Sequence, residues 1–144
     1  MKFRTIDSSD SIDKEFGIFL NVSGGARAIG DSLVIDVGAS GDGKRVTTPA
    51  TATLSLFVGI AVLAAANNRP IKVQRYGWNA SGKVTNHDTQ AIAAGDILLP
   101  VDGQIYLARS GASDGKTGFV YAAQAVTTHT TPSVQTVKVF IRAL

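Results

Sequence analysis

Hydrophobic and polar residues alternate with a period of two through the last part of the chain. Over Val134–Arg142, Val137, Val139 and Ile141 fall on one side while Thr136, Lys138 and Arg142 fall on the other, which is a strand with one face in a core. Phe140 breaks that pattern. It lies on the polar side, so this face is expected to be covered, as by another subunit. Residues 71–76 alternate in the same way, with Lys72 and Gln74 between the apolar positions. Residues 104–109 and 117–126 are predicted strands, separated by the turn-forming run Gly111-Ala112-Ser113-Asp114-Gly115. Residues 16–22 and 32–37 are apolar on both faces and bounded by glycine, so they are predicted as buried strands. Residues 54–66 are mixed: Val58, Ile60 and Val62 favour a strand and the alanines after Ala61 a helix, giving a strand with a short helical or irregular end near residues 67–70.

Residues 1–15 combine Ser, Asp and Lys without periodicity and are predicted to form an extended N-terminal arm, which orders against a partner. Residues 16–144 are then a single β-rich domain. The expected fold class is all-β: a compact β-barrel or β-sandwich with that arm attached.

Composition narrows the function classes. A chain of 144 residues buries roughly 68–70% of the surface its unfolded form exposes, enough for a core without staples. With 44% hydrophobic and 17% charged residues it is not a disordered tail. The absence of cysteine excludes a disulfide framework, a thiol nucleophile and thiolate metal centres. The net charge of +3 is scattered, with Lys44-Arg45 the closest basic pair, so no nucleic-acid partner is expected. Met1-Lys2-Phe3-Arg4 runs into Asp7, Ser8, Ser9 and Asp10 rather than an apolar segment, which is no signal peptide. The apolar stretch at 54–66 is interrupted by Ser55 and Gly59 and is shorter than the ~20 residues of a membrane span. A soluble, non-secreted protein without a membrane partner is expected.

One internal echo stands out. Ala28-Ile29-Gly30-Asp31-Ser32-Leu33-Val34 parallels Ala93-Ala94-Gly95-Asp96-Ile97-Leu98-Leu99, each a Gly-Asp turn feeding a strand. Either the chain contains two copies of one strand-and-turn unit, or a common turn dipeptide occurs twice.

Candidate chemistry is sparse. Residues 38–44 fit Gly-x-x-x-x-Gly-Lys, but Arg45 takes the place of the magnesium-binding Ser or Thr, and Val46-Thr47-Thr48-Pro49 is poor sequence for the helix that would hold phosphate. Gly111-Ala112-Ser113-Asp114-Gly115 matches a nucleophile elbow, yet no Asp or Glu follows Asp114 to complete a triad. His87 and His129 are expected on surface loops, with Asp88 the single neighbouring carboxylate at ligand spacing. No catalytic residue, metal site or cofactor is therefore expected, and the chain is not read as an enzyme. Trp78 serves either as packing at a strand end or as a platform for stacking a sugar.

Residues 73–77, the run Thr89-Gln90-Ala91-Ile92-Ala93-Ala94-Gly95-Asp96-Ile97-Leu98-Leu99-Pro100, residues 118–125 and the closing Val137-Lys138-Val139-Phe140-Ile141 together resemble the small β-rich head decoration, or capsid cement, proteins of tailed bacteriophages. Phe57-Val58-Gly59-Ile60-Ala61 is similar to a strand near the centre of their pattern, and the resemblance spans about residues 57–144. It implies a barrel or sandwich made in the host cytoplasm that assembles on the outer surface of the virion capsid. The implied partner is the major capsid protein, and the implied state is a homotrimer on threefold or quasi-threefold positions. The residues expected to make capsid or subunit contacts are Lys2, Phe3, Arg4 and Ile6 of the arm, by adding a strand to a neighbour's sheet edge, together with Phe140 and Arg142. The alternative is a carbohydrate- or receptor-binding module of a phage tail fibre or spike, presenting Trp78 and Tyr76.

Overall fold

The computed structural model describes residues 14–38, 42–85, 91–110, 119–127 and 133–143. Among them are nine strands: β1 (Glu15–Asn21), β2 (Ser32–Ile35), β3 (Arg45–Thr47), β4 (Phe57–Ala61), β5 (Pro70–Thr85), β6 (Ile97–Pro100), β7 (Leu107–Arg109), β8 (Val120–Ala122) and β9 (Val134–Arg142). A 3₁₀ helix, Thr51–Leu56, precedes β4. The expected all-β fold is observed.

The strands close into two rings that share β5. In the first, the order is β1-β3-β2-β4-β5, and β5 pairs back onto β1 to form a closed five-stranded barrel. The remaining strands run β5-β7-β6-β8-β9, with β9 pairing back onto β5. Both circuits have the same directions: one parallel contact, β1 with β3 or β5 with β7, and antiparallel contacts elsewhere. At 16 residues β5 is long enough to serve both, its first half as the last strand of one ring and its second half as the first strand of the other.

The Gly-Asp echo is a structural repeat down to single hydrogen bonds. The Asp31 amide donates to Ala28 O at 3.3 Å and the Asp96 amide to Ala93 O at 3.1 Å, closing turns whose third residues, Gly30 and Gly95, have φ of 91° and 93°. Each aspartate carboxylate then accepts the amide of the first turn residue, Ala28 at 2.9 Å and Ala93 at 2.8 Å. The turns dock alike. Gly30 N donates to Ala61 O and Gly95 N to Ala122 O, while Ala61 N and Ala122 N donate back to Asp31 O and Asp96 O. An antiparallel bridge flanks each turn, Arg27 with Ala65 and Ile92 with Val126.

Inward-facing alternate residues give each ring an apolar filling. Leu33, Val46, Val58, Ala61, Ile71 and Val73 form one cluster, with Phe19 and Ile35 packed against it. Val84, Leu98, Leu107, Val120, Val137, Val139 and Ile141 form the centre of the other, to which β4 lends Phe57 and Ile60. Phe57 also meets Phe119 across the seam, with ring centroids 5.9 Å apart.

Several expected elements differ in extent. The helical part of residues 54–66 comes before the strand, because Thr53 Oγ1 accepts the Ala50 amide at 3.1 Å and starts a tight turn there. The strand beginning near residue 71 does not stop at Gly77 but runs to Thr85. A bulge between Asn79 and Gly82 lets it continue, where the Ser81 amide donates to Asn79 Oδ1 at 2.7 Å; Asn79 Nδ2 in turn donates to Gln74 Oε1, and Gln74 Nε2 donates to the Tyr76 and Trp78 carbonyls. Glu15, placed in the arm by sequence, is already the first residue of β1. The rest of the arm before Lys14 lies outside the described residues.

Candidate functional site

Tyr76 marks the place where three strands lie side by side, for it is paired with Glu15 of β1 on one edge and with Arg142 of β9 on the other. The residues of β5 that alternate away from both cores, with their neighbours on β1 and β9, make one outward face. On these three strands Lys72, Lys138 and Arg142 alternate with the outward residues and Glu15 is the one acid, while Arg75 turns inward and Lys83 is ion-paired with Asp31.

The face is aromatic at its centre. Phe140 sits edge-on to Tyr76, with centroids 5.4 Å apart, and edge-on to Trp78, with centroids 4.9 Å apart. Cross-strand pairing sets this up, since Trp78 is directly opposite Phe140 and Tyr76 is one position diagonal to it. Lysines stand over the rings. Lys138 Nζ is 5.3 Å from the Trp78 centroid, and Lys72 Nζ is 4.3 Å from that of Phe16. Such pairs contribute about 0.5–1 kcal/mol each when solvated. They are equivalent positions in the two repeats: Phe16 faces Gln74 as Trp78 faces Phe140, and Lys72 and Lys138 follow by the same register.

Much of this apolar surface remains in water. Ile18, opposite Lys72, is 67% exposed, Trp78 is 49% exposed and Phe16 is 43% exposed. The result is an exposed apolar patch with lysine and arginine at its rim.

Of the residues singled out by sequence, Phe140 and Arg142 lie on this face. Within the chain, Phe140 is partly covered by Tyr76 and Trp78. Lys2, Phe3, Arg4 and Ile6 lie outside the described residues, as do His87, His129, Asp88 and the loop at 111–117. After Lys44 comes β3, not the helix a phosphate-binding loop requires. Sequence reading missed Phe16, Ile18, Lys72 and Lys138. The signal that points to them is Phe140, since one aromatic residue on a polar strand face calls for aromatic neighbours on the paired strand. Among the described residues no group of three or more metal-binding side chains comes together, and no helix is long and apolar enough to cross a membrane. No family model matches the chain, and no curated protein matches it in sequence.

Proposed function

We propose that the chain is a structural virion protein, a capsid decoration or cement protein that binds the outside of an assembled phage head, with the major capsid protein as its partner and a homotrimer as its working form. The observation that carries this reading is the exposed aromatic and basic face of β1, β5 and β9, which joins the resemblance of residues 57–144 to head decoration proteins. The proposed action is thermodynamic rather than catalytic. A protein that binds the assembled lattice and not its detached subunits stabilises the lattice by mass action. Trimerisation would triple each contact on one symmetry axis, so individually modest contacts add to useful avidity. The arm residues Lys2, Phe3, Arg4 and Ile6 are proposed to extend a neighbour's sheet.

The test is co-sedimentation of the purified protein with phage heads that lack it, alongside its solution mass. Binding to heads by a trimer, reduced ten-fold or more by Trp78→Ala with Lys138→Ala, is the expected result. Failure to bind expanded heads of any phage whose genome encodes the chain would reject the proposal. Deleting residues 1–13, which leaves β1 whole, tests the arm separately. The half-exposed indole of Trp78 also supports the second reading, a carbohydrate-binding module. Binding on a glycan array that is lost in Trp78→Ala, without head binding, would select it.

A further inference from the structure

Arg75 occupies a position that the repeat elsewhere fills with hydrocarbon. Ile60 pairs with Gln74 as Tyr121 pairs with Phe140, so residue 75 of the first ring corresponds to residue 141 of the second. There the second ring has Ile141, fully buried. Arg75 instead lines a cleft of about 310 Å³ at the seam between the rings, walled by Phe19, Ile35, Phe57, Val58 and Phe119. Gly17 leaves space for it: a Cβ there would come within 3.4 Å of Arg75 Cδ and 2.5 Å of the Phe19 ring. Arg75 Nε is sealed from solvent and has no hydrogen-bond partner among the described residues. Among the described residues that line the cleft, none is acidic. An N–H buried in this way carries a desolvation cost that only an acceptor recovers.

We infer that this cleft is a binding site for a small monocarboxylate with an apolar body, of the fatty-acid or arylalkanoate class. The aromatic and aliphatic walls take the hydrocarbon, and the Arg75 guanidinium, turning within the cleft so that its Nε–H is reached, donates to the carboxylate, a pairing whose geometry the planar fork favours. One arginine without a second cation matches a single negative charge better than a phosphate ester. The volume is at the lower end of the roughly 300–1,000 Å³ of ligand pockets, which limits the body to a short chain or one ring. Among the described lining residues a cationic ligand meets no acidic partner, and a neutral one offers the guanidinium no charge.

The test uses the full chain, with octanoate and 3-phenylpropanoate as probes and 1-octanol as the uncharged control, read by calorimetry and by the Arg75 Nε–H resonance. The expected result is saturable binding of the acids, a displaced Nε–H signal, and affinity for the alcohol about ten-fold or more weaker, the contribution of a charge-assisted hydrogen bond. Arg75→Met should erase the preference for acid over alcohol. The inference fails if neither acid binds saturably, if the alcohol binds as well as octanoate, or if Arg75→Met keeps the preference. Should that variant not fold, the acid and alcohol comparison on the unaltered chain decides alone.

Discussion

Asp31 and Lys83 form an ion pair that fastens the turn of the first ring to the half of β5 that belongs to the second. The Asp31 side chain is 2% exposed and its partner's 23%, and the Lys83 amide also donates to Gly30 O at 3.2 Å. The equivalent aspartate of the other repeat, Asp96, is paired with Arg109 at 2.9 Å in a more solvated setting, with side chains 21% and 40% exposed. Removing one partner of a buried pair strands a charge, whereas an exposed pair is worth little. Asp31→Ala is therefore expected to cost about 3 kcal/mol. Asp96→Ala, which loses chiefly the hydrogen bond to the Ala93 amide, should cost about 1 kcal/mol. Urea unfolding of both variants measures this, and equal losses would show that the seam pair does not contribute as argued.

The two turn glycines make a second contrast. At Gly95 an added Cβ meets nothing within 4 Å, so Gly95→Ala should cost only the left-handed backbone conformation, about 1–2 kcal/mol. At Gly30 the same carbon would fall 2.1 Å from the Ser81 carbonyl oxygen, which belongs to the bulge of β5. Gly30→Ala must displace backbone, and its melting temperature should fall well below that of Gly95→Ala.

Leu33 and Leu98 are equivalent core residues, each with no exposed surface. Truncating either to alanine is expected to cost about 2–5 kcal/mol. Because β5 belongs to both rings, both variants should still unfold in one transition with an unchanged denaturant slope, whichever ring was weakened. A biphasic curve for either would mean that the rings melt independently.

Arg75→Met should raise stability by about 1 kcal/mol in the absence of added ligand, because it replaces an unsatisfied buried N–H with a flexible apolar chain of similar reach. A loss of stability would indicate that the guanidinium is already satisfied in the folded protein.

On the outward face, Trp78→Ala should change folding stability by roughly 1 kcal/mol, given that half of the indole is solvated and its lysine contact is an exposed one. Any effect on head binding much larger than this change would then reflect contact rather than misfolding.

The strands that were legible in sequence are those with strict alternation on one buried face, β9 above all. β5 was legible only to Tyr76. Beyond it, Gly77, Asn79, Ser81 and Gly82 look like turn residues, yet each has a place in the strand: Gly77 takes a φ of 93°, Asn79 ties to Gln74, the Ser81 amide donates to Asn79 Oδ1, and the lack of a side chain at Gly82 avoids Val139. Closure of two rings through one strand depends on pairings distant in sequence, and no local pattern encodes it. The outward face was half legible. Phe140 and Arg142 could be placed by alternation, but Phe16 and Ile18 sit in a run apolar on both sides, which reads as fully buried until the register of β1 shows which residues point outward.

A strand of 16 residues spans at most roughly 50 Å at 3.3 Å per residue, less whatever the bulge takes up. It joins the two rings with no linker between them. Two similar lysine-capped aromatic footprints are thus held at a preset spacing and orientation. A partner that engages one meets the other already aligned, so the second contact forms without the entropy loss that tethered domains incur when they search for their sites.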